Sequence, residues 1–158
     1  MEPAVLHELQ DLTDAPMRQE EGGIELQGGL LDAAGLCLWS RTPSGILVRV
    51  GHFRAKSLQQ LYAETKKLRW SDLVVQGQPV EVRATVKGSR IQRSDNAARK
   101  IKLAISDALK GSRRAGFKRV HHPITVVARV RGPDVTLSLD AVGQPLHRRG
   151  YRKASAKA

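Results

Sequence analysis

At 158 residues, with 41% apolar and 27% charged side chains, the chain has the composition of one globular domain with room for a smaller companion. Its apolar runs fall short of the roughly 18 residues of a membrane helix, and its acidic N-terminus is unlike a signal or transit peptide. The single Cys37 excludes an intramolecular disulfide and fits a reducing, cytoplasmic setting.

Pro3 suits the first turn of a helix, where its missing N–H costs nothing, and Val5, Leu6, Leu9 and Leu12 follow at helical spacing. Thr13-Asp14-Ala15-Pro16 ends that helix. Gly22-Gly23 separates "PMRQEE" from "GIELQG", which predicts two short strands around a turn. A second apolar helix is predicted over about Leu30 to Ser40, with Cys37 packed as a small buried hydrophobe. This first unit lacks a strand and is too small to bury a core alone.

From Gly45 the pattern changes. "ILVRV" reads as a strand with Ile46, Val48 and Val50 on one side. Ser57, followed three residues later by Gln60, is a capping box that opens a helix with the stripe Leu58, Leu61, Tyr62, Thr65 and Leu68. "PVEVRATVK" alternates strictly, with Val80, Val82, Ala84 and Val86 inward and Glu81, Arg83, Thr85 and Lys87 outward. A helix from about Ser94 to Leu109 buries Ala97, Ile101, Ala104, Ile105 and Ala108. "ITVVARV" and "VTLSLD" are strands joined by the turn Arg131-Gly132-Pro133-Asp134. The fold class is α/β (α+β), and the alternating strands imply a sheet with one less buried face.

The net charge of +12 is unevenly spread. Residues 1–40 hold eight carboxylates and one cation, Arg18, which leaves 26 cations against seven carboxylates in the other 118 residues. Such an asymmetry points to a polyanionic partner. Enzyme chemistry is not visible: there is no P-loop, no G-x-G-x-x-G after a strand and no G-x-S-x-G. His121-His122 has no further ligand at metal spacing, and the carboxylates of the first unit form no acid/base pair.

Between Lys87 and Arg131 lie thirteen Lys and Arg residues and two carboxylates, Asp95 and Asp107. Candidate RNA contacts are Lys87, Arg90 and Arg93 in one loop, Arg99, Lys100 and Lys102 on the following helix, and Lys110, Arg113, Arg114, Lys118 and Arg119 beyond it. The two loops bracket the helix and are expected to form one phosphate-binding surface. Ser89, Ser94 and Asn96 would add neutral contacts, with Ser94 at a helix start suited to an anion. Phe117 is the one aromatic in this stretch, so a base-stacking platform is not supported, and structured RNA is favoured over sequence-specific DNA.

Taken together, "GGIELQG", "LWSRTPSGILVRVGHFRAKSLQQLY", "LRW" at 68–70 and above all "VTLSLDAVGQPLHRRGYR" are similar to the N-terminal part of THUMP-containing RNA methyltransferases of the bacterial ribosomal RNA guanine-N2 type. The resemblance implies a ferredoxin-like unit over residues 1–45, without its first strand, a THUMP RNA-binding domain with a mixed sheet and flanking helices over 46–142, and a basic linker over 143–158. It implies RNA contacts from His147, Arg148, Arg149, Tyr151 and Arg152 in that linker. The family's methyltransferase half has no counterpart in the sequence, so no catalytic residue, metal or cofactor is expected on this chain. S-adenosylmethionine would belong to a partner methyltransferase domain or subunit. The expected function is capture of structured RNA, rRNA or tRNA, for such an enzyme; the alternative is a structural or ribosome-associated assembly factor.

Overall fold

A computed structural model describes the chain except for Met1, Glu21, Gln76, residues 111–121, Gln144, Pro145 and residues 147–158, and gives Glu2 and Leu30 as backbone alone. Packing divides the chain into two units. One comprises Met1–Ile46 together with Ala141–Ala158, the other Leu47–Asp140.

In the first unit, helix α1 (Glu2–Leu12) precedes strands β1 (Met17–Glu20) and β2 (Gly23–Leu26), and helix α2 (Leu30–Trp39) follows. β1 and β2 pair antiparallel, from Met17 against Leu26 to Glu20 against Gly23. The core is small, with Leu9 and Leu36 buried. Cys37 is half-buried rather than buried, because α2 turns that flank partly towards solvent. A carboxylate does much of the closure. Glu8 on α1 accepts the backbone N–H groups of Arg41 (2.7 Å) and Thr42 (2.9 Å), and the Thr42 hydroxyl. Leu146, within the expected linker over 143–158, is held in this unit. Leu146 is buried, its N–H donates to the Ser44 carbonyl (3.0 Å), and Ala141 N–H donates to Ile46 (3.0 Å).

The second unit contains β3 (Leu47–Arg54), α3 (Leu58–Lys67), a 3-10 turn (Trp70–Asp72), β4 (Val80–Lys87), α4 (Ser94–Leu109), β5 (Ile124–Arg131) and β6 (Asp134–Asp140). The sheet order is β3-β6-β5-β4, parallel between β4 and β5 and antiparallel elsewhere. Ser57 caps α3 by accepting the Gln60 N–H (3.2 Å). The Gln60 side chain reaches back one residue further than a capping box requires, to the Lys56 N–H (2.8 Å).

Even-numbered residues of β5 and odd-numbered residues of β6 face the helices. Val126, Ala128, Val130, Val135 and Leu137 are buried there against Leu61 of α3 and the Ala97, Ile101 and Ile105 stripe of α4. β3 is longer than "ILVRV" and carries a bulge between Arg49 and Gly51. The bulge breaks the alternation, so that Gly51 and Phe53 lie on the core face and His52 and Arg54 on the other. Gly51 belongs there because a Cβ would come within 2.9 Å of the Leu68 side chain. Gly132 makes the β5–β6 turn in the left-handed region, at φ +57°.

Candidate nucleic-acid interface

β4 ends with Lys87 on the face away from the helices, and Gly88 (φ +60°) turns the chain into the loop that enters α4. Ile91 plugs that loop into the core, and Ser89 accepts the Ile91 N–H (3.2 Å). Ser89 is therefore engaged in shaping the loop. Arg90 and Arg93 stay exposed on either side of Ile91. Parallel pairing sets Lys87 beside Arg131 of β5, and Gly132 N–H donates to the Lys87 carbonyl (2.9 Å). Lys87, Arg90, Arg93 and Arg131 are thus four cations at one end of the sheet. In the sequence Arg131 lies forty-four residues from Lys87, and only pairing register brings the two together.

The first turn of α4 carries exposed Asp95, whose charge offsets the positive end of the helix at Ser94. Arg99 and Lys102, three residues apart and exposed, share the outer face of α4. Lys100 is different. It is half-buried, and its ammonium lies 5.9 Å from the Tyr62 ring centroid, with Lys66 at 5.8 Å on the same ring. Lys110 donates to Asp107 at 2.7 Å. Hydrogen bonds from Lys110 and then from Tyr62 hold the Asp107 carboxyl below its ordinary range, and the same bond from Lys110 raises the lysine.

Of the second basic loop only Lys110 lies among the described residues. α4 separates Arg93 from Lys110 by about 25 Å at 1.5 Å per residue. Arg113, Arg114, Lys118, Arg119, His147, Arg148, Arg149, Tyr151 and Arg152 lie outside the described residues.

The strand-to-helix connections, Ala55–Ser57 and Gly88–Arg93, hold a single glycine between them, so neither is a Gly-rich cradle. Among the described residues no group of three His, Cys, Asp or Glu side chains could hold a metal ion, and no helix is long and apolar enough to cross a membrane.

A mixed four-stranded sheet with helices against it, preceded by a small α/β unit, is the architecture that the THUMP resemblance implies, and known proteins define the class. Residues 1–47 match the RlmL ferredoxin-like domain. The ribosomal RNA large subunit methyltransferase K/L of Syntrophotalea carbinolica is 32% identical over 96% of this chain and 22% of its own length. That of Pseudomonas aeruginosa is 32% identical over 96% of this chain and 21% of its own. The structure also superimposes with a TM-score of 0.86 on a Listeria monocytogenes protein described as a predicted N6-adenine-specific DNA methylase. That match has 25% identity and covers 99% of this chain and 41% of the other. TrmN from Thermus thermophilus shares the fold at a TM-score of 0.68 and 20% identity, over 94% of this chain and 44% of its own.

The chain is therefore similar to part of the ribosomal RNA large subunit methyltransferases K/L, in line with the sequence motifs. Its first 47 residues match the RlmL ferredoxin-like domain, and the chain spans about a fifth of the length of the curated relatives it matches.

Proposed function

We propose that the chain is an RNA-binding module that captures structured RNA for S-adenosylmethionine-dependent guanine-N2 methylation carried out by a methyltransferase domain or subunit. The observation that carries this reading is the exposed group Lys87, Arg90, Arg93 and Arg131, gathered at one end of the sheet by register and by the Ile91 plug. Phosphate neutralisation by such a group supplies affinity without reading sequence. The acidic first unit would repel RNA and so orient it. The cofactor would be held by the methyltransferase part and not by this chain.

The test is binding of a ribosomal RNA hairpin and a tRNA by the purified chain across a salt series. Binding that falls by roughly 0.7 to 0.9 log units per log unit of salt for each phosphate neutralised, and that is lost in R90E/R93E with the melting temperature kept, supports the reading. Unchanged affinity of that variant removes the patch from it.

A second reading, docking to a protein, is favoured by one observation. Leu31, Leu38 and Trp39 on α2 are 88%, 69% and 69% exposed within the acidic unit. It requires a defined protein partner that stays bound after ribonuclease treatment and is released by L38E/W39E.

A further inference from the structure

The face of the four-stranded sheet that α3 and α4 leave open is rich in cations. Its side chains fall in rows set by the register. At the end that meets Arg90 the row is Lys87, Arg131, Asp134 and Arg54 across β4, β5, β6 and β3. The next is Thr85, Arg129, Thr136 and His52, and the third is Arg83, Val127, Ser138 and Arg49. These three rows hold six Lys and Arg residues against one carboxylate, Asp134, which pairs with Arg54 at 3.5 Å in an exposed, screened contact. The fourth row reverses sign, with Glu81 and Asp140 and no cation. The six cations are all exposed.

We infer that this open face is a docking surface for double-helical RNA, read through its sugar–phosphate backbone. The inference rests on the RNA-binding reading above and names its substrate class. Strand spacing makes the three rows a patch of about 13 Å along the strands and 14 Å across them. No Phe, Tyr or Trp lies on it; Phe53, the nearest in sequence, is on the core face. A single strand is held by stacking its bases on a series of aromatic rings, and this face offers only the His52 imidazole at its β3 edge. A duplex keeps its bases stacked internally and presents phosphates and 2′-hydroxyls. Both have partners here, because the hydroxyls of Thr85 and Thr136 lie between the outer cations and can donate to or accept from a 2′-hydroxyl. Glu81 and Asp140 set the limit of the patch, so the duplex is held towards the Lys87 end, where Arg90 and Arg93 extend it.

The test compares the full chain with R49E/R83E/R129E and with R90E/R93E, for binding of an RNA duplex of about 16 base pairs and of one of its strands alone. Thermal melts check folding, and R49Q/R83Q/R129Q replaces the charge-reversed triple variant if that one does not fold. The expected result is duplex preferred to single strand, with the triple variant weakened at least about tenfold on duplex and its salt slope flattened by roughly two units. If R90E/R93E loses binding and the triple variant does not, the open face is a solvated surface and the RNA-binding reading survives without it. Tighter binding of the single strand overturns the duplex assignment. Failure of the unaltered chain to bind either RNA overturns both readings.

Discussion

The Tyr62 hydroxyl donates to Asp107 at 2.8 Å, so that one carboxylate ties α3 to α4 while its other oxygen takes the Lys110 ammonium. The Asp107 carboxyl is lowered from its ordinary 3.8 by Lys110 first and Tyr62 second. A carboxylate with a depressed folded value contributes stability that is complete above the unfolded value and is lost as pH falls through the folded one. Lys110, raised from 10.5, contributes stability that is complete below that value and lost as pH rises through the folded one. D107N is therefore expected to melt below the unaltered chain at neutral pH, and the gap should close as acid titrates Asp107. Melting curves from neutral pH to about pH 3 measure it; a gap that persists in acid would mean that the carboxylate's charge is not its source.

Lys110 and Lys100 differ from Arg90 in what already holds them. Lys110 is paired with Asp107, and Lys100 lies over the Tyr62 ring, whereas Arg90 is exposed on a loop pinned by Ile91. A cation with an intramolecular partner must give it up to reach a phosphate. R90Q is expected to weaken RNA binding several-fold more than K110Q or K100Q, while K100Q lowers the melting temperature through the lost ring contact. Equal losses from all three substitutions would show a diffuse field rather than a local site.

Glu8 makes the corresponding acid-side case in the first unit. Burial opposes its ionisation, but hydrogen bonds from the Thr42 side chain and from the Thr42 and Arg41 backbones outweigh that and lower its carboxyl from the ordinary 4.5. Its stabilising effect is thus present above that value and is lost as pH falls through the folded one. E8Q keeps the shape and removes the charge. It is expected to expose the Arg41 and Thr42 amides to faster hydrogen exchange at neutral pH, with the β4 and β5 amides unchanged.

Strict alternation in "PVEVRATVK" and the 3.6-residue stripe of α4 made those elements legible, because each buries one face and a one-residue slip would bury charge. The bulge in β3 was not legible: "LVRVGHFR" alternates acceptably in two registers, and the choice is made by Leu68, seventeen residues on, closing over Gly51. The same limit applies to the site. Loop cations stand out as clusters in the sequence, but Arg49, Arg83 and Arg129 are far apart in it and become neighbours only through the strand order β3-β6-β5-β4.

Thr65 is wholly buried on α3, and among the described residues its hydroxyl has no hydrogen-bond partner. A desolvated, unpaired hydroxyl costs roughly 1–3 kcal/mol. Valine has nearly the same shape and about the same helix propensity. T65V is therefore expected to stabilise the chain by about 1 kcal/mol and raise its melting temperature by a few degrees. A lower melting temperature would show that the hydroxyl has a bonded water.

Trp70 is the largest wholly buried side chain among the described residues, and its indole N–H donates at 2.7 Å to the Thr65 carbonyl, which also takes the C-cap Leu68 N–H at 3.3 Å. The 3-10 turn therefore seals the end of a helix as well as filling the core. W70A removes both functions and is expected to cost about 3–5 kcal/mol. W70F keeps most of the apolar area but loses the donor and leaves a small cavity where the second ring was, for about 2 kcal/mol. The second tryptophan, Trp39, is 69% exposed, so W39F leaves Trp70 as a lone reporter whose blue-shifted emission should move to the red in one step on denaturant unfolding. Emission that is already red in the folded W39F chain would mean that Trp70 is open to water.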